Sequence, residues 1–345
     1  MDLPKFFGID VGKNTVKVAY LELGAKLPKL KKLFSFATGS GSLTSEDAAQ
    51  RADLSVRIKD AVAGVKLDTR KCVVALPEPV VFNRLLTFPA LADEALNEAI
   101  HWNAKQFIPI PIDDVQMDWI KVADLEVEGR KMMQLLLVAA PKKLINNSIS
   151  ILKDAEIEAI AIETEAIATA RVIANAYPNV GSVLVLDIGS SGTDLSVVDN
   201  NNLIFSQSFG TGSESMTRAI ASSFSLDGVQ AEQYKIKFGL LKDQAEGKIF
   251  LSLDPVMQLI VAEVNKTINF FKNKYSQATP KKILLLGEGS NIPGIAEYLQ
   301  TALGMGTEVA NLRNNIQIDS AMEAELPQGN LGGFAVAIGL ALKTK

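Results

Sequence analysis

Phe6-Phe7-Gly8-Ile9-Asp10-Val11-Gly12-Lys13-Asn14-Thr15 opens the chain, and Leu184-Val185-Leu186-Asp187-Ile188-Gly189-Ser190-Ser191-Gly192-Thr193 repeats its pattern past the midpoint. Each reads as an apolar strand, then Asp, an apolar residue, Gly, polar residues and Thr, followed by a second strand-like run. Asp10 and Asp187 lie 177 residues apart, about half of the 345-residue chain. The second loop reads one residue longer. Two similar halves are expected, each carrying a β-hairpin tip that can face the other.

The chemistry of such a tip is restricted. Gly12 and Gly189 allow close backbone approach or a positive φ. Loop amides and Ser or Thr hydroxyls can then hold phosphate oxygens. Asp10 and Asp187 would repel a bare phosphate. They make sense facing Mg²⁺, usually through water, with the metal bridging to the phosphates. Two tips of this kind would clamp a nucleotide polyphosphate from both sides.

Strand and helix signals alternate along the rest of the chain, which places it in the α/β class. The first half has strands at Phe6–Asp10, Thr15–Leu23 and Lys71–Leu76, and a helix from Ser45, the expected N-cap, to Val62. A helix from Asp93 to Phe107 stops at Pro109 and Pro111. Runs at Val115–Val122 and Met132–Ala139 flank an expected hairpin turn at Glu126–Arg130. Lys142–Ala155 and Glu163–Ala176 read as helices. The second half has strands at Val183–Asp187, Thr193–Asp199, Leu203–Phe209 and Ile283–Gly287. Its helices read Glu214–Phe224, Gln230–Phe238, Pro255–Tyr275 and Phe334–Leu342.

Composition removes several classes. Apolar residues make up 48% and charged residues 21%, and the net charge of −4 argues against a general nucleic-acid binder. One cysteine, Cys72, excludes a disulfide framework and any multi-Cys metal site. One histidine, His101, excludes a His-rich metal site and leaves Ser-His-Asp chemistry improbable. No apolar run approaches the roughly 20 residues of a spanning helix, and the N-terminus lacks a secretory pattern. A cytosolic location is the expectation, with any membrane association made through partners.

Further segments carry weaker signals. Gly287-Glu288-Gly289-Ser290-Asn291-Ile292-Pro293-Gly294 joins a buried strand to a helix and leaves a flat surface on which an adenine can lie. Glu232 and Lys235 share a helix face, where they can meet ribose and base or form only a solvated ion pair. Glu163 and Glu165 open a helix; one can orient a water toward a terminal phosphate, although the helix dipole favours acids there in any case.

Taken in order, the two Asp-x-Gly tips, the Ala231-Glu232-Gln233-Tyr234-Lys235 helix and the strand-to-Gly-x-Gly turn resemble the actin-like ATPase superfamily. Glu98-Ala99-Ile100-His101-Trp102-Asn103-Ala104-Lys105-Gln106-Phe107-Ile108-Pro109, Ile162–Ala168, Gly210-Thr211-Gly212 and Ala335–Leu342 are similar, more narrowly, to its PilM family of type IV pilus assembly. The resemblance implies two actin-like (ribonuclease H-like) halves around a nucleotide cleft with a small inserted α+β subdomain. The first half would span 1–79, 159–181 and 327–345, the insertion 80–158 and the second half 182–326, with a smaller part at about 214–280.

For the site, the resemblance implies ATP and Mg²⁺. Asp10 and Asp187 would face the metal. Gly12, Lys13, Asn14, Thr15, Gly189, Ser190, Ser191, Gly192 and Thr193 would hold phosphates, with Gly210 and Gly212 near the sugar or phosphates. Glu232 and Lys235 would contact ribose and adenine, backed by Gly287, Glu288, Gly289 and Ile292. Glu165 matches the water-orienting acid, with Glu163 second. Lys13 and Asn14 stand where the superfamily usually has two small hydroxyl residues, Thr211 splits a usual Gly-Gly pair, and Glu288 replaces a Gly; slow or absent ATP hydrolysis is the expectation. The implied partners are the cytoplasmic N-terminal tail of the inner-membrane protein PilN, held between the first subdomain and the insertion, and other pilus assembly components, with self-association open. An FtsA-like division protein, a type II secretion scaffold and a small-molecule kinase of the superfamily are the alternatives. The tail Leu342-Lys343-Thr344-Lys345 shows no FtsA-type amphipathic anchor.

Overall fold

The structure, a computed structural model, describes residues 3–24, 26–90, 92–127, 129–275, 278–327 and 329–344; for Asp93 and Val127 it describes the backbone alone. The first half contains β1 (Phe7–Val11), β2 (Thr15–Glu22), β3 (Lys29–Ala37), α1 (Ala48–Val65) and β4 (Lys71–Leu76). An inserted unit follows: β5 (Phe82–Pro89), α2 (Asp93–Ala104), β6 (Val115–Val127) and β7 (Arg130–Pro141). The chain returns through α3 (Lys142–Asp154), β8 (Glu158–Thr164) and α4 (Glu165–Ala176). The second half contains β9 (Val183–Ile188), β10 (Thr193–Asp199), β11 (Asn202–Phe209), α5 (Ser213–Phe224), α6 (Gly228–Phe238), α7 (Lys248–Lys274), β12 (Ile283–Leu286), α8 (Ile295–Leu303), β13 (Thr307–Val309), α9 (Ser320–Glu325) and α10 (Ala335–Ala341).

The duplication is realised as two sheets of one topology. Their orders are β3-β2-β1-β4-β8 and β11-β10-β9-β12-β13. In each, three strands run antiparallel from the opening hairpin, and two more join parallel on the other side. The central strands β1, β4, β9 and β12 are buried almost throughout, which is why they read as unbroken apolar runs rather than alternating ones. The inserted sheet, β5-β7-β6, is separate. Leu96, Ile100 and Ala104 of α2 cover one of its faces, packing with Leu135, Leu137 and Ala139 of β7. No helix of the described residues is long and apolar enough to cross a membrane.

Some boundaries differ from the sequence reading, each for a local reason. Asp47, not Ser45, caps α1: its carboxylate accepts from the Ala49 amide, while Ser45 Oγ accepts from Ser42. α7 starts well before Pro255 and carries that proline inside it. β3, β5, β8 and β13 lack strong sequence signals; β3 alternates with lysines and β13 is only three residues long. β8 takes Glu163 out of the helix expected there. The turn at 126–130 includes Glu128, which lies outside the described residues; Val127 pairs with Arg130. α3 belongs to the first half and not to the insertion, because Leu144, Ile151 and Leu152 pack into the core of the first sheet with Leu54, Ile58 and Val74.

The halves are joined by α4 and α10, packed against each other and sharing one core with both sheets. That packing depends on missing side chains. A Cβ on Gly339 would lie 2.0 Å from the Ala168 carbonyl oxygen, and one on Gly8 2.2 Å from that of Ala337. Gly339→Ala is therefore expected to destabilise by about 1–3 kcal/mol in urea or thermal unfolding. Gly64→Ala in α1, where the added methyl meets nothing within 4 Å, is expected to be neutral or stabilising by up to about 1 kcal/mol. Equal effects would show that the helix contact is not close.

Candidate functional site

Both hairpin tips open into one cavity of about 370 Å³. In the first, Asp10 pairs with Lys17 and Val11 with Val16, and the Gly12 amide closes the turn onto the Thr15 carbonyl. In the second, Asp187 pairs with Asp194 and Ile188 with Thr193, and the Gly189 amide closes onto Gly192. Residues 12–15 and 189–192 thus form turns of equal length. The extra residue read in the second loop is a misalignment: Thr193 corresponds to Val16, and Thr15 to Gly192.

Asp10, Gly12, Lys13, Asn14, Thr15, Asp187, Gly189, Ser190, Ser191, Gly192, Glu165, Gly287 and Glu288 all line the cavity. The remaining expected residues do not line it, and most support it from behind. Thr193 is fully buried and donates to the Thr211 carbonyl. Gly210 and Gly212 flank that carbonyl; a Cβ on Gly212 would lie 2.5 Å from the Gly192 nitrogen. Gly212 leads into α5, whose first amides, Ser213 and Glu214, donate to the Gly189 and Ser190 carbonyls. Lys235 is buried and more than a surface ion pair: its ammonium donates to the Ser213 carbonyl and Thr217 Oγ1, and lies 2.7 Å from Glu232 Oε2. Gly289 packs on Ile188, and Ile292 is in the core of the second half. The α6 end meets the Gly287–Gly294 turn through a hydrogen bond from the Leu240 amide to Pro293.

Glu163 does not face the cavity. On β8 it points oppositely to its neighbour Thr164, and it is held by Arg171 and Lys343. Burial pushes its carboxyl up, but the two cations outweigh that and leave it below the ordinary range. Glu165 is the acid in the cleft, where its Oε2 accepts from the Glu78 amide at 2.8 Å. The single histidine, His101, is exposed on α2, and the single cysteine, Cys72, is buried in β4.

Several residues of the cavity were missed: Lys17, Asp194, Ser208 and the Ser42–Thr44 loop. Lys17 and Asp194 each stand seven residues after a tip Asp, and hairpin register carries them opposite it. Counting back across the tip would have located both. Lys13 and Asn14 have a role the sequence did not show: both donate to the Glu214 carboxylate on α5, at 3.0 and 2.6 Å, and so bridge the two halves at the mouth of the cavity.

Electrostatically the cavity is short of cations. Asp10, Asp187, Asp194 and Glu165 converge with Lys17, which is paired to Glu288 at 2.9 Å. Burial, then neighbouring carboxylates, pushes Asp187 up to about 8, and burial pushes Asp194 up to about 6. Burial likewise raises Asp10 and holds Glu165 well above the ordinary carboxyl range. Among the described residues no three His, Cys, Asp or Glu side chains form a direct metal cage. Carboxylates in excess, without a cage, fit a hydrated Mg²⁺ completed by phosphates, since Mg²⁺ keeps several waters and takes only one or two protein carboxylates. Gly287 is part of this geometry: at φ +77° it lies so close that a Cβ would be 2.5 Å from Asp187 Oδ1.

This fold and site define an actin-like protein, with two halves of one topology each presenting a hairpin tip to a shared cleft. Structures of MreB5 of Spiroplasma citri bound to ADP (TM-score 0.52, 13% identity, 97% of this chain and 94% of that one) and of EutJ from Carboxydothermus hydrogenoformans (0.57, 13%, 99% and 90%) share the fold. The chain belongs to the family of type IV pilus assembly protein PilM, whose model matches residues 8–345. It is also similar, at 27% identity and TM-score 0.84 over 98% of both chains, to a structure of a PilM–PilN type IV pilus biogenesis complex.

The raised carboxyls set a pH dependence. Their pKa values are higher folded than unfolded, so the folded protein without cation binds more protons than the unfolded chain. Their stabilising contribution is present at low pH and lost as pH rises from the ordinary carboxyl range toward 8. With divalent cations chelated, the melting temperature is expected to fall from pH 6 to pH 8. Asp187→Asn should flatten that fall and raise the melting temperature at pH 8 by roughly 2 °C or more. A wild-type profile that is flat or rises with pH would contradict the picture of uncompensated carboxyls.

Proposed function

We propose that the chain is an ATP·Mg²⁺-binding, actin-like scaffold of type IV pilus assembly, cytoplasmic and held at the inner membrane through a partner. The observation that carries the nucleotide reading is the convergence on one cavity of two tips and four carboxylates, Asp10 buried and Glu165, Asp187 and Asp194 partly buried. Amides and hydroxyls of residues 12–15 and 189–192 would hold phosphate oxygens, and the partly buried Lys17 would add a cation. Asp10 and Asp187 would hold the metal through water. Glu232, the more exposed end of its ion pair, would take ribose, and the Gly287–Gly289 turn would back the base. Bound Mg²⁺ would neutralise phosphate charge and return the nearby carboxyls to their ionised forms.

Ligand that touches both halves favours the arrangement in which both tips reach it. That shift would control a docking site for the N-terminal tail of a PilN-like inner-membrane protein; the similar structure is of a PilM–PilN complex. Slow turnover fits the site. Glu165 is the acid that would orient water, and one of its carboxylate oxygens is already engaged by the Glu78 amide.

Calorimetric titration of ATP with Mg²⁺ tests this reading. Wild type is expected to bind, with Asp10→Ala, Asp187→Ala and Lys17→Ala each weakening binding by about tenfold or more. Glu163→Gln, outside the cavity, should change affinity less than about threefold. Folded wild type that binds no nucleotide would overturn the clamp.

A further inference from the structure

Between β4 and β5 the chain runs Pro77-Glu78-Pro79-Val80. Pro77, Pro79 and Val80 line the cleft, but the Glu78 side chain is 4% exposed and points the other way. Its carboxylate collects three donors from three parts of the molecule. The Ala166 amide comes from α4 in the first half at 3.3 Å, Asn83 Nδ2 from the inserted sheet at 2.7 Å, and Ser206 Oγ from β11 of the second half. Its own amide meanwhile donates to Glu165 in the cleft. Asn83 also lies 2.8 Å from Ser206 Oγ, and it lines a separate groove of about 260 Å³ with Arg84, Leu85, Ile204 and Phe205, at the seam between insertion and second half.

We propose that Glu78 is a positioning residue that couples the cleft to this seam. A carboxyl group this deeply buried is tolerable only while its hydrogen-bond partners stay in place. Withdrawing Ser206 by moving the halves apart leaves the carboxylate under-satisfied, and two flanking prolines limit how the backbone can relax. The displacement passes to the Glu78 amide, to Glu165 and to the cleft wall. In the reverse direction, a ligand that fixes Glu165 fixes how the insertion docks on the second half. The inference deepens the nucleotide reading and rests on it for its ligand, but the coupling itself is measurable without nucleotide.

Two measurements test it. In the first, thermal melts of Glu165→Gln, Ser206→Ala and the double variant should be non-additive in wild type and additive in the Glu78→Gln background. Additive shifts in wild type would overturn the coupling. In the second, hydrogen exchange is followed as ATP and Mg²⁺ are added. Wild type should slow by roughly threefold or more at β5 and β11 as well as at the tips. Ser206→Ala should keep the tip response and lose the distant one, and Ser206→Thr, which retains the hydroxyl, should restore it. Tip protection that never reaches β5 or β11 in wild type would overturn the proposal while leaving the nucleotide reading intact. An absence of tip protection would instead overturn the nucleotide reading, and the melts would still decide the coupling.

Discussion

Like charge held out of water is the constraint on which the rest of this molecule depends. Asp10 and Asp187 end the central strands of two sheets and meet across a cavity where Asp194 and Glu165 add to their charge. The two lysines that line it are already engaged, Lys17 with Glu288 and Lys13 with Glu214. In a low-dielectric cleft such an arrangement favours protonation or a cation. A site that is electrostatically incomplete without a cation is suited to gating by one.

The scaffold keeps these carboxylates in register by rigid packing. Each tip is braced by a threonine that donates to a backbone carbonyl, Thr38 to Gly12 and Thr193 to Thr211. The second tip is also tied to α5 by two main-chain hydrogen bonds. Between the halves, α4 and α10 approach so closely that Gly339 has no room for a methyl group. Relative motion is thereby directed to the outer contacts, the Lys13–Asn14–Glu214 bridge at the mouth and the Glu78 seam at the rear. The first is largely exposed and cheap to break; the second is buried and costly to disturb. A ligand that bridged the cleft would work against these two contacts.

The duplication, the two Asp-x-Gly tips and the α/β class were legible because each depends on short-range pattern: a buried strand needs an apolar run, and a tight tip needs glycine and small polar residues. The Glu232–Lys235 pair was legible as a pair, but its depth was not, since a solvated i,i+3 pair and a buried one look alike in one dimension. Glu163 and Glu165 show the same limit. Two residues apart at a strand-to-helix junction, they end in unlike surroundings. One is neutralised by Arg171 and Lys343 and the other is left among carboxylates.

Two similar halves, a hairpin tip in each and residue types suited to phosphate and metal were legible in the sequence alone, because these follow from local backbone chemistry and hydrophobic periodicity. Only the tertiary structure decided which side chains share the cavity. Lys17 and Asp194 enter it through hairpin register, while Glu214 closes on its rim from the start of α5 and Glu78 braces its wall from behind through contacts with residues up to 128 positions away in the chain. Electrostatic environment is a sum over neighbours in space, and neighbours in space become known only when the strands have paired and the halves have closed on each other.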